Sequence, residues 1–387
     1  MDFQLSEEQR SLVQTVRKFL EKEVAPAADE LDRKGPMDRA AALEFIAKLK
    51  PFGYVAGQVP REDGGDGISH LTYGILLEEM KKVYASLGGI ASITASCARV
   101  ISELGSGEQK KRFLPALLGG TEIGCMGITE PEAGSDVRAI KTKGVVTKDK
   151  VVLNGTKMWI SNGSIAGVCV VFFNAFDEKG GKIGPSRVVV ERGHSPFESR
   201  EIPKMGLKSF PTAEIVFDDC EVPAENILGI PGKALSGVKE GLNVARANLA
   251  AGCAGLARGA LDIAKKYVME RRQFGREIGR HQIVQAMIAD MEMLVDASRL
   301  LAYRALSMLD AKLECTREAS IAKAFASESA VRVTSQAIQL HGAYGLAEEF
   351  PVERYFRDAR CYTIPDGTTE IQKLIIGREV LGAGAFK

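Results

Sequence analysis

The sequence predicts an α+β protein in three parts: an N-terminal α-helical domain over residues 1–122, a middle antiparallel β-domain over 123–230, and a C-terminal four-helix-bundle domain over 231–387. Three observations carry this prediction. Apolar residues recur at helical spacing up to about residue 122. From Thr121 to about Leu228 the period changes to two, in β-branched runs such as VCVVFF and RVVVE separated by glycine and charged turns. After Pro231-Gly232 come long helical patterns over about 234–271, 280–313, 317–341 and 351–381, the last broken near Pro365. Long helices joined by short connections pack as an antiparallel bundle.

Taken in order, the chain opens with Ser6 and Gln9 at capping-box spacing. Leu12, Val16, Phe19, Leu20 and Val24 then form one apolar stripe. PREDGGDG, Pro60 to Gly67, is a loop by its turn residues, and it lacks the alternating ligand spacing of an EF-hand. Helical patterns resume through LLEEMKKV, the small-residue run Gly88 to Cys97, and EQKKRFLPALL. In the middle domain, Lys150–Leu153 and Thr156–Ser161 flank Asn154-Gly155. That pair suits a two-residue type I′ turn, so a β-hairpin is expected. With no secretion signal in the sequence, the sequons Asn154-Gly155-Thr156 and Asn162-Gly163-Ser164 read as tight turns rather than glycosylation sites.

Composition removes several function classes. At 387 residues the chain is long enough for two or three domains, and 45% hydrophobic with 26% charged residues describes a globular protein with ample core. A formal net charge of +1 supplies no basic field for nucleic acid and no polybasic membrane patch. Seven scattered cysteines without a CxxC pair, and four histidines without ligand spacing, argue for reduced thiols and no metal site. MDFQLSEEQ has neither a basic n-region nor an apolar h-region, so a cytoplasmic protein is expected. No apolar run is long enough to predict a membrane span. Neither a GxGxxG in a βαβ setting nor a Walker A string is present, so any dinucleotide cofactor must be held without a Rossmann fold.

The stretch CMGITEPEAGSDVRAIKTKGVVTKDKVVLNGTKMWISNG, Cys125 to Gly163, combines a polar turn, the β pattern and the chain's only tryptophan, Trp159. A lone tryptophan is ordinarily a core residue with a satisfied N–H. Here, however, TEP-x-A-GSD is followed by K-x-W-I-S-N-G, and the string resembles the flavin-binding region of the acyl-CoA dehydrogenases. The resemblance covers essentially the whole chain, including the α, β, α order of domains. It implies FAD as cofactor, an acyl-CoA substrate, an electron-transfer flavoprotein as redox partner, and a homotetramer built as a dimer of dimers in which the adenosine end reaches a neighbouring subunit.

The resemblance also assigns residues. Met126, Ile128, Thr129, Gly134 and Ser135 would contact the pyrimidine edge and pyrophosphate, while Trp159, Ile160 and Ser161 would cover one ring face and the N5 edge. MERRQFG matches the family's R-x-x-F-G and places Arg271 on the pyrophosphate and Phe274 beside the adenosine. Arginine suits that role because its planar donors pair two at a time with phosphate oxygens. Read from residues alone, Arg271 is equally a solvated helix end. His281 and Gln282, together with Gln339, Gly342 and Ala343 in QLHGAYG, match further stretches on the cofactor's ADP portion. Ala343 stands where the family usually has a second glycine. Thr368 and Glu370 match flavin contacts, and Ser135, Asn243, Arg246 and Gly367 match substrate contacts. Interhelical hydrogen bonding is the plain alternative for Asn243 and Arg246.

The segment TIPDGTTEIQKLIIGREVLG matches the family's Y-E-G-T stretch, whose glutamate removes the α-proton and whose glycine N–H binds the thioester oxygen. Such donors are typically worth about 3 kcal/mol. Here Asp366 stands in the glutamate position, with Pro365 replacing the aromatic and Gly367 following. Aspartate is one methylene shorter, roughly 1.5 Å of reach. The base position used by some relatives, on the long helix before the family arginine, is Ala245. A helix N-cap is a second reading of Asp366. Other readings of the chain are a flavin oxidase or monooxygenase on the same fold, and a non-catalytic flavoprotein partner.

Overall fold

A computed structural model describes residues 4–234 and 238–384. The capping box forms as expected: Ser6 and Gln9 bond each other's backbone N–H at the start of α1, Glu7–Phe19. The helical path continues through one wider π turn, Leu20–Val24, into α2, Ala25–Lys34. Pro26 has no N–H to close an ordinary helical bond at this junction, which accounts for the wider turn. Val16, Leu20 and Val24 are fully buried, so the stripe keeps facing inward. Next come α3, Arg39–Leu49, α4, His70–Val83, α5, Ala85–Leu104, and α6, Gly107–Gly119. Helix α5 is long and apolar enough to cross a membrane by composition, but most of it is packed inside the protein.

The middle sheet contains β1, Gly124–Gly127, β2, Lys143–Val146, β3, Lys150–Ser161, β4, Val168–Asp177, β5, Lys182–Glu191, β6, Glu198–Glu201, and β7, Thr212–Pro223. It is mixed rather than wholly antiparallel. Strand β4 pairs antiparallel with β5 along one edge, and parallel with β1 and then β2 along the other. The long excursion from 128 to 142 lets β2 return in the same direction as β1, which a tight hairpin cannot do.

The expected hairpin at Asn154-Gly155 does not form. Strand β3 runs straight through, bonded by β2 on one side and β7 on the other, with a register shift between Leu153 and Gly155. The Asn154 amide exchanges hydrogen bonds with Asp219: its Nδ2 donates to Oδ1 at 2.9 Å, and its Oδ1 accepts from the Asp219 N–H at 2.8 Å. Gly155 sits at φ 148°, and a Cβ there would meet Thr142 at 2.7 Å. The pair thus serves a β-bulge, the other common use of glycine in a strand.

The C-terminal helices are α7, Val238–Glu270, α8, Gln282–Asp310, α9, Thr316–His341, α10, Val352–Cys361, and α11, Thr369–Leu381. Residues 235–237, which belong to the first helical pattern, lie outside the described residues. Between α7 and α8 stands a two-residue hairpin, β8, Arg272–Gln273, with β9, Arg276–Glu277. Its central residues Phe274 and Gly275 have φ 52° and 77°, as a type I′ turn requires. Helix α7 meets α4 through glycines. A Cβ on Gly252 would strike the Lys81 side chain, on Gly255 the Glu78 carbonyl, and on Gly259 the Lys82 carbonyl. The core joins sheet residues such as Val151, Leu153 and Phe173 to Ala247, Ala250 and Ala251 of α7 and to the inner face of α9.

Candidate active site

The polar turn between β1 and β2 is pinned by Glu130. Its carboxylate accepts from the Lys157 ammonium at 2.7 Å and from the backbone N–H groups of Lys141 and Thr142 at 2.5 and 3.0 Å. Lys157 also donates to the Ile128 carbonyl at 3.1 Å, and the Met158 N–H bonds the Thr129 carbonyl at 2.9 Å. Burial pushes the Glu130 carboxyl up, but Lys157 and the two N–H groups outweigh it and hold the carboxyl below its ordinary range. With its acid locked inward, the turn presents Gly134 and Ser135 to solvent, where a Cβ added at Gly134 would touch nothing. Met126, Ile128 and Thr129 are half-buried behind them.

Trp159 follows on β3, at a second register shift between Lys157 and Ile160. Its φ is 61° and its side chain is 55% exposed. A bulky residue in the left-handed region is strained, and such strain clusters at functional sites. The only tryptophan is therefore not a core residue. It is turned out of the sheet beside the Glu130 turn, while Ile160 is buried and Ser161 half-buried.

A second constellation surrounds Asp366, in the link from α10 to α11. Asp366 and Gly367 have φ 56° and 94°. Their carbonyls are tied down: Gln372 Nε2 donates to both at 3.0 Å, Lys323 Nζ to Gly367 at 2.8 Å, and Arg246 Nε to Asp366 at 3.3 Å. The Asp366 side chain caps nothing. The N-cap of α11 is Thr368, whose hydroxyl accepts from Ile371, because the tight Asp-Gly turn moves the helix start two residues on. The Gly367 N–H donates to no described residue. Burial raises the Asp366 carboxyl above the ordinary aspartate range, and Lys323, Arg246 and Lys81 pull it back down. Asn243 is buried and bonds Thr316 across helices at 2.8 Å, and its Oδ1 lies 3.4 Å from Arg246. Thr369 is buried against Glu328, and Glu370 is exposed.

A third group lies at one end of the bundle. Arg271 stacks over Tyr344 at 5.6 Å, and its guanidinium has no acidic partner among the described residues, unlike neighbouring Arg272 with Glu277. Phe274 is 94% exposed and meets His281 edge-on at 6.0 Å. The buried Nε2 of His281 lacks a partner among the described residues. Gln282, Gln339, Gly342 and Ala343 are all exposed there. No described hydrogen bond or ring contact joins this group to Trp159 or to Asp366.

Reading motifs in sequence missed the groups that hold these segments. Lys157 and Glu130 lie inside the quoted motifs, so their signal was present. Gln372 also lies inside a quoted segment, whereas Lys323 carries no sequence signal, because helix interiors show only spacing.

The chain matches the family descriptions "Acyl-CoA dehydrogenase, N-terminal domain" over residues 6–121, "middle domain" over 125–220 and "C-terminal domain" over 235–381. It is 40% identical to an acryloyl-CoA reductase (NADH) of Anaerotignum propionicum, over 98% of this chain and 96% of the relative. Among solved structures, butyryl-CoA dehydrogenase of Megasphaera elsdenii superposes with TM-score 0.92 at 36% identity, covering 98% of this chain and all of that one. A chain from structural work on the electron-transferring flavoprotein of Acidaminococcus fermentans gives TM-score 0.93 at 38% identity, covering 99% of this chain and 100% of that one. A three-domain oxidoreductase built for a flavin without a Rossmann fold is the class these features define. The chain belongs to the acyl-CoA dehydrogenase family.

The cofactor of this family is FAD. The residues present suit it: an Arg271 guanidinium without an acidic partner among the described residues for phosphate oxygens, an outward Trp159 for a ring face, and an open glycine turn at Gly134 where backbone can approach.

Proposed function

We propose that this acyl-CoA dehydrogenase converts an acyl-CoA thioester to its 2-enoyl-CoA, with Asp366 as the base. Bound FAD supplies the acceptor for the β-hydrogen, which leaves as hydride. The observation that carries the reading is the Asp366-Gly367 turn: a carboxylate faced by three cations, next to a backbone N–H with no acceptor among the described residues. Asp366 takes the α-proton, and the Gly367 N–H holds the thioester oxygen, where deprotonation builds negative charge. Arg246, Gln372 and Lys323 fix the carbonyls of this turn so that its N–H stays directed away from them. The Met126–Ser135 turn and Trp159–Ser161 hold the flavin ring, while Arg271, Phe274, His281 and Gln339–Ala343 hold the ADP portion of a cofactor in an adjoining subunit.

Because Asp366 is short, its substrate has Cα held close to the turn, which suits a short, branched or alicyclic acyl group. Electrons leave to an electron-transfer flavoprotein, and the enzyme works as a homotetramer. Anaerobic titration of the yellow protein with linear, branched and alicyclic acyl-CoAs tests the proposal. Bleaching by at least one thioester is expected, and bleaching by none overturns it.

A further inference from the structure

Three lysines are buried among the described residues: Lys81, Lys157 and Lys323. Two of them donate to two acceptors each. Lys157 bonds Glu130 and the Ile128 carbonyl, and Lys323 bonds the carbonyls of Thr363 and Gly367. Lys81, on α4 and only 4% exposed, has no hydrogen-bond acceptor and no ion pair among the described residues. Its Nζ lies over the Tyr362 ring, 4.3 Å from the centroid. A cation–π contact of this kind leaves the three N–H donors of an ammonium unused.

The surroundings are shaped to admit this side chain. A Cβ on Gly252 of α7 would collide with its Cδ and stand 2.8 Å from Nζ, and one on Gly88 of α5 would come within 2.9 Å of Cγ. Burial lowers the affinity of Lys81 for its proton, while the neighbouring Cys253 thiol and then the Asp366 carboxylate favour the charged form. The cations facing Asp366 are Lys81, Lys323 and Arg246, and Glu328 is a second carboxylate acting on Lys323, so three cations stand against two carboxylates around the proposed base. Buried charges in proteins are ordinarily paired. Since the α-carbon of a substrate must lie against Asp366, the acyl group passes within reach of the field of Lys81.

We infer that the Lys81 ammonium is a substrate-recognition group, and that it pairs with a carboxylate carried on the acyl part of the thioester. The favoured substrate is then the CoA half-thioester of a short dicarboxylic acid, linear or branched. This deepens and rests on the dehydrogenase reading above. Tyr362 supports the ammonium from one side, and Gly88 and Gly252 leave its stem the room it needs. An acyl group ending in a methyl would leave the ammonium without an acceptor.

The test is anaerobic flavin bleaching of the holoenzyme by thioesters matched in length: succinyl- against butyryl-CoA, glutaryl- against valeryl-CoA, and adipoyl- against hexanoyl-CoA. At least one dicarboxylyl thioester should be preferred over its partner in bleaching rate per unit concentration. Lys81→Met should lower that preference by about 30- to 4,000-fold, the range for truncating one partner of a buried charge pair. Lys81→Arg should keep part of it. Lys81→Gln provides the comparison if the Met variant does not fold. A preference unchanged in Lys81→Met, with both thioesters of a pair slowed equally, assigns Lys81 to Asp366 alone and overturns the inference. Bleaching by monocarboxylyl thioesters without preference overturns it as well, and leaves the dehydrogenase reading standing. Bleaching by none of the six overturns the inference, and the dehydrogenase reading falls with it only when branched and alicyclic acyl-CoAs fail as well.

Discussion

Lys157 and Glu130 form an ion pair of 2.7 Å that is almost wholly withdrawn from solvent, with the lysine side chain 0% and the glutamate side chain 5% exposed. The pair binds β3 to the turn that precedes β2, and so sets where Trp159 and Ser135 stand relative to each other. Removing one partner of such a pair leaves an uncompensated charge in the interior. Lys157→Met should cost about 3 to 5 kcal/mol of stability. Glu130→Gln with Lys157→Met together should recover part of that loss. Chemical denaturation of the four proteins measures the coupling, and flavin fluorescence reports whether cofactor affinity falls with it.

Asp366→Asn should leave FAD bound and slow bleaching by a good substrate by about 100- to 10,000-fold, the usual worth of a positioned acid–base group. In the wild type, the base must be ionised to act. Its carboxyl is raised by burial, so the reduction rate should increase with pH through a midpoint above the ordinary aspartate range. Stopped-flow reduction across pH measures both, and a wild-type profile flat through the acid range would assign the proton abstraction to another group.

Arg271→Ala should weaken FAD retention by about 1.5 to 3 kcal/mol, the range for a hydrogen bond to a charged group, with little change in helix content. Since Arg271 and Phe274 are exposed at the end of the bundle and unconnected to Trp159 within the chain, flavin loss should accompany subunit dissociation. Ultracentrifugation with absorbance at the flavin band tests this. A monomer that retains FAD fully would break the link between cofactor and assembly.

Asp358 gives a pH effect on stability of definite sign. It is buried on α10 and accepts from the Leu207 N–H at 2.5 Å, and burial raises its carboxyl to about 6, with Arg354 and Arg357 opposing. A carboxyl raised in the folded state stabilises the fold below its unfolded value of 3.8, and that stability is lost as pH rises through about 6. Asp358→Asn should therefore remove a downward component of the stability curve between about pH 4 and 6. Denaturation midpoints at several pH values measure the difference between the two proteins.

Several features of this protein were set by residues a few positions apart, and these were legible. The Ser6–Gln9 capping box, the apolar stripe through Val16, Leu20 and Val24, the loop at Pro60–Gly67 and the helix limits after residue 280 all depend on local hydrogen bonding and spacing. The family was also legible, because its motifs are short strings readable without the fold.

Other features were decided only by the tertiary structure. Asn154-Gly155 has the local chemistry of a turn and of a bulge alike, and the choice fell to Asp219 on β7, 65 residues away. Asp366 is the cap the sequence offers for the helix that follows it, and the φ values of Asp366 and Gly367, clamped by Arg246, Lys323 and Gln372, move the cap to Thr368. Trp159 taken alone reads as a core residue, and it is a register shift against β7 that turns it outward. Lys81 differs from Lys82 in nothing that sequence displays. Lys82 reaches Asp262 at the surface, while its neighbour, one residue earlier on the helix, runs between Gly88 and Gly252 to the Tyr362 ring. Which lysine is solvated and which is buried without an acceptor depends on the approach of α7, and that distance is a property of the packed chain.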